Sequence, residues 1–153
     1  MIIIYCDGCC ETRNPGGYAC WGWIAYENGK TVNNNNGCIG RGEGMTNNVA
    51  EYEAVLQALR WAKENHLMSC RFRTDSQLVV NQVRGNWQIN ALHLIPKIEE
   101  ARKLLKATGS IIEWVPKEQN ESADKLSRIA YSLAKQAVVL TFGTQRKSQI
   151  QFV

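Results

Sequence analysis

Cys70-Arg71-Phe72-Arg73-Thr74-Asp75 is a short strand pattern that ends on an acid and leads directly into a helical pattern over residues 76–85. Met1-Ile2-Ile3-Ile4-Tyr5-Cys6-Asp7 has the same form, an apolar run closed by an acid, with Gly8 next. A helical stretch, residues 47–65, lies between them. The two strands therefore read as parallel neighbours joined by a helical crossover, which makes the chain an α/β protein. In open sheets of this kind the ligand site lies outside the carboxyl ends of the parallel strands. Asp7 and Asp75 both stand at such ends. Either one alone reads as a turn former, but together they point to a site.

The pattern outside this pair completes the order. Residues 18–26 and 30–40 read as strands joined by Glu27-Asn28-Gly29, a hairpin signal. Further helices are expected over about 91–107 and 120–137, with a strand at 110–115 between them. The polar run Asn33-Asn34-Asn35-Asn36-Gly37 reads as a turn or a ragged strand end. The order βββαβααβα, with a hairpin-rich start and then alternation, implies a mixed sheet with helices packed on it.

Helical periodicity brings in two more acids. Val55, Ala58, Leu59 and Ala62 form one stripe at 100° per residue, and Glu51 falls on that stripe. Glu53 falls on the opposite face. Thr46, Asn47 or Asn48 can cap this helix. In the last helix Ala123, Leu126, Ala130, Leu133 and Ala137 form the core stripe, and Asp124 lies beside it in the first turn. An acid there also suits the helix dipole.

Acids on buried faces need compensation. Two like charges about 4 Å apart repel by about 1 kcal/mol in water and by about 4 kcal/mol at an effective dielectric of about 20. Asp7, Glu51, Asp75 and Asp124 at one place therefore call for cations. Oxygen ligands without a nearby imidazole favour Mg²⁺ or Mn²⁺ over zinc. Two such ions can activate a water and stabilise the leaving oxygen of an in-line displacement at phosphorus. The two histidines, His66 and His93, stand away from the acidic segments, which argues against a Ser-His-Asp site.

The bulk numbers agree. A chain of 153 residues suits one domain. Residues 1–53 carry three Lys/Arg and six Asp/Glu, and residues 54–153 carry fifteen and eight. A basic half facing an acidic cluster suits a polyanion held through metal ions. No apolar run reaches the roughly 18 residues of a membrane helix, and no basic flank precedes residue 1's apolar run, so a cytoplasmic location is the default expectation. The six cysteines lack the spacing of a disulfide framework. Cys6 and Cys9 have CxxC spacing, but no second close pair follows, as a zinc ribbon requires, and the segment after them reads as a loop. Buried thiols in a reducing compartment are the expected state.

Four segments, in order, resemble type 1 ribonuclease H. They are Tyr5-Cys6-Asp7-Gly8 with Asn14-Pro15-Gly16-Gly17, Thr46-Asn47-Asn48-Val49-Ala50-Glu51-Tyr52, Thr74-Asp75-Ser76-Gln77-Leu78-Val79, and the run from Trp114 to Asp124. The compact loop Val115-Pro116-Lys117-Glu118-Gln119-Asn120 resembles archaeal-like members in particular. The resemblance implies a ribonuclease H-like fold: a five-stranded mixed sheet, strands one to three antiparallel, flanked by helices. It implies hydrolysis of the RNA strand of an RNA–DNA hybrid to 5′-phosphate and 3′-hydroxyl ends, with two Mg²⁺ or Mn²⁺ ions. It places Asp7, Glu51, Asp75 and Asp124 on the four metal-binding positions. Thr46, Asn47 and Asn48 fall where the family contacts a phosphate and the minor-groove side, Trp87 where an aromatic lines the DNA-strand channel, and Lys117, an expected phosphate contact, in the short loop that stands where many members carry a histidine-bearing loop. The 2′-hydroxyl is the handle by which such an enzyme tells RNA from DNA.

Two departures stand out. Residues 115–123 contain no histidine, where many members carry one, and residues 85–95 contain no Lys or Arg, where many carry a basic protrusion. The competing readings are a catalytically silent nucleic-acid-binding domain of the same fold and another ribonuclease H-like nuclease. Residues 1–138 are expected to form the domain, acting as a monomer. Residues 139–153 form a tail whose last six residues alternate as a half-buried strand does, with Ile150 and Phe152 expected to dock on the body.

Overall fold

The structure is a computed structural model that describes the backbone of residues 1–150 and the side chains of residues 1–138. Strands β1 (Ile2–Glu11), β2 (Gly16–Glu27) and β3 (Lys30–Gly42) form an antiparallel meander. Helix α1 (Asn47–Glu64) then crosses to β4 (Arg71–Thr74), which pairs parallel with β1. Helices α2 (Gln77–Arg84) and α3 (Ile95–Thr108) lead to β5 (Ile111–Trp114), parallel to β4, and α4 (Glu121–Ile150) follows. The sheet order is β3-β2-β1-β4-β5. The mixed sheet and the crossover through α1 match the sequence pattern, and the antiparallel first three strands match what the family resemblance implies.

Asn28 (φ 51°) and Gly29 (φ 77°) join Glu27 to Lys30 as a two-residue turn with both central residues left-handed. That is the geometry for which Asn-Gly is favoured, because its twist matches that of the strands. Thr46 caps α1 by accepting from the Val49 amide at 3.1 Å, and Ser76 caps α2 through Val79 at 3.2 Å.

Two contacts set how the helices sit. Alternation along β1 places Gly8 and Asp7 on opposite faces of the sheet. A Cβ on Gly8 would stand 2.3 Å from the Ala50 carbonyl carbon and 2.4 Å from the Glu51 amide nitrogen, so only glycine lets the first turns of α1 lie this close. On the other face Gly22, paired with Asp7, lies under α4, where a Cβ would stand 2.6 Å from Leu126 Cβ and 2.7 Å from Ser127 N. The main core fills the α1 side: Ile4, Cys6, Phe72 and Ile112 from the sheet meet Tyr52, Val55, Leu56 and Leu59 of α1 and Ile98 of α3.

Three expectations are corrected. β1 does not stop at Asp7. Its parallel ladder with β4 ends at Cys6–Thr74, but its antiparallel ladder with β2 runs on to Glu11–Tyr18, so Asp7 is mid-strand and lies just past the end of β4. Asn33–Gly37 is neither a turn nor a strand end. It runs through β3, an edge strand paired on one side with β2 and largely exposed, so polar side chains cost little there. The last helix does not end near 137 but continues to Ile150, so 148–150 is helical rather than extended. Phe152 and the side chains of 139–150 lie outside the described residues, as does any docking of the tail.

Candidate active site

The extension of β1 past β4 leaves Asp7 projecting where the parallel ladder has ended. Asp75 follows β4 directly, and Glu51 lies one turn inside α1, which Gly8 brings against the strand. Asp7, Glu51 and Asp75 each offer a carboxylate oxygen, and these oxygens all lie within 4.8 Å of one another. Asp124 is placed differently. Its carboxyl interacts with Asp7, but it stands at the flank of the triple and is held by Arg128, whose Nε lies 3.2 Å from both carboxylate oxygens. Arg128 also reaches Glu11 at 3.4 Å. Three of the four acids thus converge, and the fourth adjoins them.

The cluster is electrostatically frustrated as it stands. Asp7 is 5 % exposed. Burial, then the charges of Glu51 and Asp75, then hydrogen bonds with Asp124 and Glu51 push its carboxyl up to about 11. Burial and the charge of Asp75 push Glu51 up to about 8, against hydrogen bonds from Asp7 and the Gly8 backbone that pull it down. Oε2 of Glu51 is buried without a hydrogen-bond partner. An orphaned buried oxygen among three converging carboxylates is what a divalent cation would satisfy. Hard oxygen donors suit Mg²⁺ or Mn²⁺, so the residues fit the ion.

The surrounding residues lie as follows. Thr46, Asn47 and Asn48 form the N-terminus of α1, one turn from Glu51. Asn47 Oδ1 accepts from the Cys10 amide at 2.8 Å, and its own amide donates to Asn14 at 3.1 Å, so the loop after β1 is tied to the helix start. Asn48 is exposed. Lys117 lines a cavity of about 420 Å³ with Glu118, Glu121, Asp124 and Lys125. Trp87 is 45 % exposed, beyond the C-terminus of α2, and so is not a core tryptophan.

Two side-chain contacts at the site were not read from the sequence, those of Arg128 and Trp114. Arg128 lies four positions after Asp124, a spacing that itself signals a helical ion pair. Trp114, 45 % exposed, donates from Nε1 to the Asp75 carbonyl at 3.1 Å. Its signal was its place at the end of β5, in register with Thr74. Asn120 adds a buried tie, donating from Nδ2 to the Cys6 carbonyl at 2.8 Å and fixing the start of α4 to β1.

A family model described as reverse transcriptase-like matches residues 6–130. Ribonuclease HI of Halobacterium salinarum is 38 % identical over 131 residues, which cover 84 % of this chain and 63 % of that protein. The bifunctional protein Rv2228c of Mycobacterium tuberculosis is 32 % identical over 139 residues, covering 89 % and 37 %. The chain thus spans less than two thirds of these curated relatives. The crystal structure of the Halobacterium salinarum NRC-1 RNase H1 matches with a TM-score of 0.78 at 36 % identity, over 86 % of this chain and 97 % of that one. LC11-RNase H1, solved in complex with an RNA/DNA hybrid, matches with a TM-score of 0.77 at 30 % identity, over 88 % and 99 %. The fold and its acidic cluster define a ribonuclease H-like protein of the reverse transcriptase-like class. Within that class the chain belongs to the type 1 ribonuclease H family.

Proposed function

We propose that this protein is a divalent-metal-dependent endonuclease that hydrolyses the RNA strand of RNA–DNA hybrids, leaving 5′-phosphate and 3′-hydroxyl ends. The observation that carries the reading is the convergence of Asp7, Glu51 and Asp75 within 4.8 Å beside the N-terminus of α1. The hybrid complex of LC11-RNase H1 supports the choice of substrate. The reading includes two Mg²⁺ or Mn²⁺ ions, action as a monomer and a cytoplasmic location.

In this mechanism Asp7, Glu51, Asp75 and Asp124 hold the ions. When bound, these supply the activation of water and the charge stabilisation that hydrolysis at phosphorus needs. The rest falls to the chain. The first amides of α1, with Thr46, form a positive helix end suited to a phosphate of the substrate backbone. Asn47 has its carbonyl oxygen engaged by Cys10, which leaves its Nδ2 donors for a minor-groove acceptor, and Asn48 stands exposed beside it. Lys117 contacts a phosphate from the cavity next to Asp124. Trp87 offers an exposed ring to the DNA strand.

A cleavage assay on an RNA–DNA hybrid, duplex RNA and duplex DNA tests this. The expected result is Mg²⁺-dependent cutting of the RNA strand of the hybrid and no cutting of duplex DNA. Hybrid binding without cleavage would establish a silent domain instead, and cutting of duplex DNA another nuclease of this fold. Replacing Asn47 and Asn48 together with Ala should raise KM for the hybrid. An unchanged KM would reduce both to helix-starting roles.

A further inference from the structure

Cys9, Cys20 and Cys38 occupy paired positions on three adjacent strands. Cys9 faces Cys20 across β1 and β2, and Cys20 faces Cys38 across β2 and β3. The Cys9 thiol interacts with that of Cys20, and the Cys20 thiol with that of Cys38. Tyr18, Ala130 and Tyr131 pack around them. Exposure is graded along the row: Cys20 and Cys9 are buried, while Cys38 is partly exposed on an edge strand. The proposed hydrolysis uses none of these thiols.

Packing alone does not require three thiols to stand opposite one another. A soft metal would need them around one point. Strands lie about 4.8 Å apart, so the outer two of a row stand about 10 Å apart. Among the described residues only Asp7, Glu51 and Asp75 bring three ligand atoms together. The remaining chemistry is bond formation between neighbours. Directly opposed antiparallel residues have Cα atoms about 4.5–5.5 Å apart, inside the range of about 4.4–6.8 Å that a disulfide spans.

We propose that Cys20 and Cys38 are a redox-active pair, closed to a cross-strand disulfide by a low-molecular-weight disulfide, with Cys38 as the point of entry. Cys38 is the member of the row that solvent reaches. The ladder steps from Ala19–Gly40 to Cys20–Cys38, which leaves Ile39 without a partner. Such a bulge gives β3 the backbone freedom to bring the sulfurs to bonding distance. Cys9, by contrast, lies beneath α4 with its thiol 3.6 Å from the Ser127 carbonyl. With oxidised glutathione, the Cys38 thiolate attacks one glutathione sulfur, the glutathione S–S bond breaks, and one glutathione thiolate leaves. The Cys20 sulfur then attacks Cys38, its proton passing to the second departing glutathione. Two protein thiols are oxidised to one disulfide, and one oxidised glutathione is reduced to two thiols.

The 153-residue chain, incubated with oxidised glutathione, tests this independently of nuclease activity. Six titratable thiols should fall to four. Trypsin cuts after Arg13, Lys30 and Arg41, so Cys20 and Cys38 lie in separate peptides, 14–30 and 31–41, and Cys6, Cys9 and Cys10 in residues 1–13. Without reduction, a species joining peptides 14–30 and 31–41 should appear by mass spectrometry and vanish with dithiothreitol. Cys38→Ser, with five thiols, should form no peptide-linked species. Six thiols remaining, a bond from either cysteine to peptide 1–13, or a stable glutathione adduct on Cys38 without a bond to Cys20 would each overturn the proposal.

Discussion

Asp75 raises the carboxyls of both Asp7 and Glu51 through its charge, so one substitution separates its two roles. Asp75→Asn should lower Mg²⁺-dependent cleavage by at least about a hundredfold, since even outer-shell changes at metal sites cost about 10–100-fold. The same change relieves repulsion in the metal-free protein, which should melt no lower than the parent. Full activity of this variant would remove Asp75 from the site. The raised carboxyls also make stability depend on pH. A carboxyl whose folded value lies above its unfolded one binds more protons folded than unfolded, so stability falls as pH rises between the two values. With unfolded values of about 4, the window runs from there to about 8 for Glu51 and about 11 for Asp7. Metal-free protein should therefore lose melting temperature between pH 5 and pH 8. Mg²⁺, binding the deprotonated cluster, should raise it more at pH 8 than at pH 5. An equal Mg²⁺ shift at both pH values, read by differential scanning calorimetry, would contradict the coupling. The three acids whose oxygens converge were legible in the sequence, Asp7 and Asp75 from the ends of two apolar strand patterns and Glu51 from its place on an apolar helical stripe. The retention of Asp124 by Arg128 was not, because an acid in a first helical turn has a sufficient role in the dipole.

At the level of elements, the site exists because α1 and α4 approach β1 and β2 more closely than side chains would permit. The hydrophobic period located the helices, but Gly8 and Gly22 set their height above the sheet, and nothing in a glycine's own neighbourhood announces a helix overhead. The end of β1 was misplaced for a related reason. An acid followed by glycine looks like a strand end, whereas here Asp7 and Gly8 are the positions where the strand passes between a site and a helix. Asn33–Gly37 was ambiguous because an edge strand packs weakly and its composition need not look like a strand. Gly22→Ala tests the close approach. Its Cβ would meet Leu126 Cβ at 2.6 Å and the Ala123 carbonyl oxygen at 2.9 Å, and backbone atoms cannot step aside as a flexible side chain can. Overpacking of this kind costs about 1–3 kcal/mol, which should appear as a lower midpoint in urea with an unchanged slope. Because α4 carries Asp124, Mg²⁺ affinity measured by calorimetry should weaken as well. A midpoint within error of the parent would mean that α4 adjusts without cost.

The charge of the whole molecule carries the final argument. Residues 54–153 have seven more basic than acidic groups, and from sequence this reads as a surface for a polyanion. The fold engages many of those groups internally. Arg60 and Lys97 pair with Glu53, Arg60 also with Glu100, and Arg71 and Arg73 with Glu113. Arg84 donates to the Ile112 carbonyl, and Arg102 to those of Gln82 and Val83. Burial alone would raise Glu53, yet hydrogen bonds from Lys97 and Gln57 and the charges of Lys97 and Arg60 hold it below the usual carboxylate range. Near the acids, Lys117 and Lys125 remain as exposed cations lining the cavity beside Asp124. With no Lys or Arg in 85–95 to add to them, hybrid binding should release few counterions. About two to three phosphate contacts give a slope of about −2 to −3 for log affinity against log salt. The measurement is hybrid affinity by fluorescence anisotropy at fixed Mg²⁺, with NaCl varied between about 50 and 200 mM. A slope steeper than about −5 would mean that the paired arginines release their carboxylates to bind nucleic acid, and that the net charge of the half-chain, rather than the groups left exposed, is the quantity that governs binding.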